Sequence, residues 1–160
     1  MFESGQFLAD ILEVSDTAQI QPNGVDLRVE HVFEQTSQGE IARDGTSVGD
    51  RTPIDPIDGY VELNSGAYIV QYADRVVIPD GHIGFVYPRS SLLRNSCMLH
   101  TAVWDAGYEG RGEGLLIVYH PIQLETQARI AQLVLAEADH VGTYDGAYQD
   151  ERLTDNSTSE

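Results

Sequence analysis

Two neighbouring stretches carry residue types able to handle a phosphorylated ligand. In Pro88-Arg89-Ser90-Ser91-Leu92-Leu93-Arg94, two guanidinium groups and two hydroxyls surround the start of a short helical stretch that follows the strand-like run Gly84-Phe85-Val86-Tyr87. Backbone N–H groups at a helix start lack partners, and arginine grips phosphate oxygens two at a time. Beyond it, His100-Thr101-Ala102-Val103-Trp104-Asp105-Ala106-Gly107-Tyr108-Glu109-Gly110 holds a lone carboxylate and an aromatic in a Gly-rich turn. Asp105 suits orienting and deprotonating water, and Tyr108 suits a flat wall against a sugar ring. Each stretch also has a plainer explanation: a Ser-capped helix with surface arginines, and an ordinary Asp-Gly hairpin turn.

Two further motifs flank these. Gln21-Pro22-Asn23-Gly24-Val25-Asp26-Leu27-Arg28 is a turn entering a strand, with Asp26 and Arg28 two apart and therefore on one face. They read either as a surface ion pair or as a buried polar pair supporting a subunit interface or a phosphate site. Arg129-Ile130-Ala131-Gln132-Leu133-Val134-Leu135 alternates Ile130, Gln132 and Val134 against Arg129, Ala131, Leu133 and Leu135. A glutamine on an otherwise apolar face needs partners if buried, so Gln132 is either a site residue or an interfacial hydrogen-bonding group. The histidines show no metal-ligand spacing, and the His-x-Glu and Pro-Cys-x-x-Cys of zinc nucleobase deaminases do not occur.

The charge balance bears on all of these motifs. Against 26 acidic residues stand nine basic ones, every one an arginine, for a formal net charge of −17. Such a chain repels nucleic acid polymers and anionic membranes. Its acidity reads as adaptation to a salty cytoplasm, where ions screen self-repulsion within roughly 3 Å at 1 M. Each retained cation is then worth locating, and Arg28, Arg89, Arg94 and Arg129 fall within the motifs above. Met1-Phe2-Glu3-Ser4 lacks the basic start of a signal peptide and no apolar run is long enough to span a bilayer, so a cytoplasmic location is expected. The lone Cys97 forms no internal disulfide.

The elements that must position these residues are mostly strands. Ser4 to Leu12 predicts one short capped helix with Phe7, Leu8, Ile11 and Leu12 on one face. Short apolar or alternating runs follow at 24–32, 60–63, 67–72, 75–78, 82–87, 115–119 and 129–135, separated by turn signals such as Asn64-Ser65-Gly66 and Pro79-Asp80-Gly81. This spacing predicts an all-β barrel or sandwich. At 160 residues the chain has room for one core. Residues 1–149 are expected to form a single domain, with 36–59 as a long surface excursion and 150–160 as a disordered polar tail.

Taken together, in order and spacing, the motifs resemble the dUTPase and dCTP deaminase superfamily, trimeric β proteins acting on deoxypyrimidine triphosphates. The likeness covers the N-terminal helix, Gln21 to Arg28, Val61 to Arg94, His100 to Gly110 and Arg129 to Leu133. It implies a mainly β fold, a distorted jelly-roll-like barrel with a second short helix, assembled as a homotrimer with shared active sites. It implies triphosphate contacts from Arg89, Ser90, Ser91 and Arg94 of a neighbouring subunit. Asp105 resembles the aspartate at the deoxyribose 3′-OH and the attacking water, and Tyr108 the aromatic against the sugar. Gln132 matches the glutamine of an Arg-Ile-x-Gln-Leu motif. Base contacts are implied around Thr101, Ala102 and Leu115 to Ile117, and lid contacts from Tyr148 and Gln149. Asp26, Arg28 and Arg129 are expected in structural or interface roles. The family implies Mg²⁺, held through phosphate oxygens and waters rather than by dedicated protein ligands.

Two departures bear on the branch. The deaminases carry a catalytic glutamate on the strand after the Asp-x-Gly-aromatic turn, and allowing for two extra residues its counterpart here is Ile117. Glu109 and Glu113 lie in the Gly-rich turn, out of that register. The C-terminal segment Gly142 to Gln149 resembles the deaminase Tyr-Gln lid, but has Ala147 where a basic residue precedes the Tyr. The expected activity is hydrolysis of dUTP to dUMP and pyrophosphate by Mg-assisted water attack on the α-phosphate. The alternatives are a dCTP deaminase or bifunctional enzyme, and a nucleotide-binding protein without catalysis.

Overall fold

Ser4 begins the first element by accepting the Phe7 amide on its hydroxyl, a cap that fixes α1 (Gly5–Leu12) in the computed structural model, which describes residues 1–153. The buried face of α1 is Gly5, Leu8, Ala9 and Leu12, while Phe7 and Ile11 pack at its margin. A 3₁₀ turn at Thr17–Gln19 leads into the strands. They are β1 (Ile20–Gln21), β2 (Gly24–Gln35), β3 (Glu40–Ala42), β4 (Gly45–Ser47), β5 (Arg51–Pro53), β6 (Tyr60–Leu63), β7 (Gly66–Tyr72), β8 (Val76–Val77) and β9 (His82–Pro88). A second helix, α2 (Ser90–Arg94), precedes β10 (Cys97–His100), β11 (Glu109–Gly110), β12 (Glu113–Val118), β13 (Ile122–Glu125) and β14 (Arg129–Glu137).

The twelve-residue β2 organises the sheet. Its first half pairs with β1 and β14, its middle with β7 and its end with β5, so the eight-stranded sheet runs β10-β12-β7-β2-β14-β9 with β1 and β5 beside β2. All of these pairings are antiparallel, and the sheet curls into a nearly closed barrel. Two irregularities in register, at Val29/His31 and at Arg129/Ala131, lie where β2 passes between its partners. Such bulges increase local twist. The mainly β, barrel-like architecture is the expected one.

Period-two alternation fills the core. Val25, Leu27, Val70, Tyr72, Leu116, Leu133 and Leu135 face inward with Leu8 of α1 and are fully buried. The bulge at the start of β14 turns Ile130 inward as well, so Ile130 does not share the more open face of Gln132 and Val134. Cys97 is buried, and burial pushes its thiol up from the ordinary value.

Several elements differ from the sequence expectation. The 36–59 excursion holds an exposed hairpin, β3 with β4, and returns β5 to the main sheet. Strands β10 and β13 were not anticipated because a few residues beside helix and turn signals give little periodicity. The expected polar tail begins too early: Asp150 to Leu153 are placed against the barrel, while 154–160 lie outside the described residues.

Gly5 is required by close approach, since a Cβ there would overlap the Gln21 carbonyl oxygen and press on that of Gly24. Gly5→Ala is expected to lower stability by about 3 kcal/mol, the upper range for forcing extra atoms into a packed site. Denaturant unfolding at constant ionic strength measures it, and a change within experimental error would refute the tight docking of α1.

Candidate functional site

The phosphate-type motif is anchored from below by a buried carboxylate. Asp26 is 1% exposed. Its Oδ2 forms an ion pair with Arg89 Nε at 3.0 Å and accepts from Arg129 Nη1 at 3.2 Å and from Gln21 Nε2 at 3.1 Å. Arg89 also donates Nη1 to the Arg129 carbonyl at 3.3 Å, and Arg129 Nη1 donates to the Ala18 carbonyl. Burial pushes the Asp26 carboxyl up from its ordinary value, and the two guanidinium groups pull it back. Two of the Arg89 nitrogens are thus engaged, and among the described residues Nη2 has no partner. Ser90, Ser91 and Arg94 follow it on exposed positions of α2.

Asp26 and Arg28 do not pair with one another. Arg28 instead reaches Asp74, donating Nη2 and Nε to Oδ1 at 2.7 and 3.0 Å while its backbone N–H donates to Oδ2 at 2.6 Å. Asp74 also accepts from Gln19. The surface ion pair between Asp26 and Arg28 is replaced by two separate partly buried networks. Gln132 lies between Asp26 and Tyr87 across the neighbouring strands.

The Asp105 turn is held by main-chain bonds on both sides. Trp104 exchanges two hydrogen bonds with Gly84, Thr101 donates its hydroxyl to the Val86 carbonyl, and Gly107 and Tyr108 bond to Ile78. Between these anchors Asp105 is exposed and faces a cavity of about 400 Å³. Ala102, Trp104, Tyr108, Tyr144 and Tyr148 give it aromatic and apolar walls, with Arg51, Glu113 and Glu151 among its polar lining. A neighbouring cavity of about 360 Å³ is lined by His100, Thr101 and Leu115 and shares Ala102 and Glu113 with the first.

The carboxylates around the cavity differ in availability. Glu113 accepts from Arg51 at 2.6 Å and from Gln71 at 2.8 Å. Glu151 accepts the Tyr108 hydroxyl at 2.6 Å, and burial pushes both groups up from their ordinary values. Asp105 makes no side-chain hydrogen bond among the described residues, so it is the cavity carboxylate open to a ligand or water.

Sequence reasoning placed some residues differently. Tyr108 lines the cavity but is only 6% exposed, edge-on to Trp104 at 4.9 Å and to Tyr144 at 5.6 Å. The more open aromatic surface belongs to Tyr144 and Tyr148. Glu113 is not a turn residue: it opens β12 opposite Gln71, on the same face as Leu115 and Ile117. Glu109 lies in β11 and pairs with Arg75 at 2.7 Å. Gln149 binds the Gly107 carbonyl at 3.1 Å rather than facing the cavity with Tyr148. Arg51, Trp104, Tyr144 and Glu151 were missed, although Arg51 was open to the same reasoning that singled out retained arginines. Arg89, Ser90, Ser91, Arg94, Ile117 and Gln132 do not line the Asp105 cavity of the same chain.

A family model described as dCTP deaminase-like matches residues 3–138. The chain belongs to the dCTP deaminase-like family. A protein of Halobacterium salinarum named probable deoxyuridine 5′-triphosphate nucleotidohydrolase is 58% identical over 158 residues, covering 95% of this chain and 96% of that one. A deoxyuridine 5′-triphosphate nucleotidohydrolase of Methanocaldococcus jannaschii is 43% identical over 136 residues, covering 82% and 87%. The 2′-deoxycytidine 5′-triphosphate deaminase of Agrobacterium tumefaciens shares the fold, with a TM-score of 0.69 at 17% identity over 86% of this chain and 48% of that one.

In this member of the dCTP deaminase-like family the matched region contains the Asp26 network and the Asp105 turn, and ends before Tyr144, Glu151 and Arg152. Asp26→Ala leaves two guanidinium groups without their shared counter-ion. Arg89 and Arg129 keep 30% and 32% of their side chains exposed, so water offsets part of the loss. The expected destabilisation is about 3 kcal/mol, the low end for breaking a buried pair. Urea unfolding at fixed salt measures it, and a loss under about 1 kcal/mol, the scale of an exposed pair, would show the network to be superficial.

Proposed function

We propose that this chain is a dUTP diphosphatase in which Asp105 positions and deprotonates the attacking water. The observation that carries the mechanism is the availability of Asp105 in an aromatic-walled cavity whose other carboxylates are engaged. Water oxygen bonds to the α-phosphorus, its proton passes to Asp105, and the bond from the α-phosphorus to the bridging oxygen breaks. The electron pair leaves with pyrophosphate, and dUMP remains. Arg89 Nη2, Arg94 and the hydroxyls of Ser90 and Ser91 neutralise the developing charge, with Asp26 aiming Arg89. Tyr108 and Tyr144 enclose the deoxyribose end. The uracil occupies the adjoining cavity, against Thr101, Ala102 and the β12 face from Leu115 to Ile117. Tyr148 closes the outer side, and Gln149 and Gln132 position the segments that carry these contacts.

None of Arg89, Ser90, Ser91 and Arg94 lines the Asp105 cavity of its own chain, which supports a homotrimer whose neighbouring subunit supplies Arg89 to Arg94. Mg²⁺ would be held by substrate phosphates and waters, a mode that suits a hard ion keeping much of its hydration shell. When bound it offsets phosphate charge. The acidic surface and the halobacterial relative support work in a salty cytoplasm, and no helix of the described residues is long and apolar enough to cross a membrane.

Glu113 keeps a second reading in view, because it lies on the β12 face of the deaminase glutamate. Both of its oxygens are held, by Arg51 and Gln71, which leaves it poorly placed to move a proton. Incubation with dCTP and with dUTP in Mg²⁺ and high salt separates the readings: pyrophosphate from dUTP without ammonia from dCTP is expected. Ammonia release would favour deamination, and tight dUTP binding without pyrophosphate would favour a binding protein.

Asp105→Asn is expected to lower kcat for dUTP by about a hundredfold or more while leaving nucleotide affinity nearly unchanged. Full activity in that variant would end this mechanism. Mixing inactive Asp105→Asn subunits with inactive Arg94→Ala subunits, after dissociation and reassembly, is expected to restore part of the activity. No recovery in verified mixed trimers would refute the shared site.

A further inference from the structure

Arg152 lies in the segment whose composition reads as tail, yet its side chain is largely enclosed. Nη1 donates to Glu30 Oε2 and to Gln71 Oε1, both at 3.2 Å. Nη2 donates to the carbonyls of Tyr72 and Gly112 at 3.0 Å each, and to that of Arg111. One guanidinium thus joins β2, β7 and the turn between β11 and β12. A charged group taken out of water needs such partners, and Nη1 and Nη2 have them while Nε has none among the described residues. The backbone bends to deliver it: Asp150 and Arg152 have φ of 58° and 55°, a left-handed conformation that residues with a Cβ avoid.

One of these acceptors, Gly112, lines the Asp105 cavity. Gly112 packs so closely beneath Trp104 that a Cβ would overlap the indole. Trp104 in turn meets Tyr108 edge-on, and the Tyr108 hydroxyl is held by Glu151, the residue before Arg152. Adjacent residues therefore fix both sides of the Trp104–Tyr108 pair. Glu151 holds the phenol, and Arg152 holds the turn under the indole. Main-chain bonds from Asp150 N–H to the Glu109 carbonyl, and from Arg111 N–H to the Glu151 carbonyl, complete the clasp.

We propose that Arg152 is a positioning residue for the nucleotide site, holding the Gly110–Gly112 turn so that Trp104 and Tyr108 keep the wall against which the substrate binds. It does not line the cavity itself. The assignment rests on the reading of that cavity as the dUTP site, and its support of the turn can be measured without substrate.

Arg152→Ala in the full chain is expected to raise KM for dUTP about tenfold and to change kcat by less than about threefold, as loss of ground-state binding does. Millimolar guanidinium chloride, too dilute to unfold the protein, is expected to recover most of the KM by entering the vacated ring of acceptors. It should leave the parent and the exposed-site control Arg43→Ala unaffected. In the absence of nucleotide, amide hydrogen exchange at Gly110 to Gly112 should accelerate in Arg152→Ala and slow again on adding guanidinium. Arg152→Lys, which keeps charge without the planar fork, should fall between parent and Arg152→Ala in KM and exchange. It serves as the test if the alanine variant does not fold.

Unchanged exchange at the turn would overturn the proposal, as would a KM within twofold of the parent. A KM that rises without recovery in guanidinium would also overturn it, as a merely structural loss. If the parent fails to hydrolyse dUTP while the exchange response appears, the functional reading fails and the support of the turn by Arg152 stands.

Discussion

A carboxylate cannot be drawn into the middle of a sheet without cations to receive it. Asp26 meets that condition with Arg89 and Arg129, each from a different strand end, and with Gln21 from β1. This shared oxygen joins the start of β2, the end of β9 and the start of β14. The arginine that begins the Arg-Ser-Ser motif is therefore oriented by the barrel, and helix α2 only presents the groups that follow it. Replacing Asp26 alone would leave Arg89 without the carboxylate that directs it.

Much of the barrel was legible because burial on one face leaves a period of two. The runs at 24–32, 67–72, 82–87 and 129–135 recover most of β2, β7, β9 and β14, the strands that build its centre. The hydroxyl of Ser4 ahead of Phe7 and Leu8 located α1 in the same way. Short strands were hidden by their neighbours. Glu113 and Gly114 open β12, yet a glycine-rich sequence before them carries the signature of a turn. Strand β5 has no apolar alternation of its own and exists because β2 extends far enough to receive it.

The site was readable where chemistry depends on residue type and obscure where it depends on distant partners. Asp105, Tyr108, Ala102 and Tyr148, drawn from separate motifs, line one cavity. The engagement of Glu113 by Arg51 and Gln71 joins segments far apart in sequence and leaves no local pattern. The same holds for Arg152, whose acceptors are largely carbonyl oxygens that any residue supplies. The attention given to retained arginines on an acidic chain extends in the same way to Arg51, which lines the cavity, and to Arg152, which holds the turn behind it.

The pairing of β2 with β14 also sets an order of events during synthesis. Asp26 leaves the ribosome early, but Gln132, its partner across the sheet, follows more than a hundred residues later. At roughly 5–20 residues per second, the first half of β2 waits seconds to tens of seconds for its last neighbour. The Asp26 carboxylate remains hydrated through that interval. A hydrated carboxylate on its open edge discourages β2 from pairing with another copy before its own partner arrives.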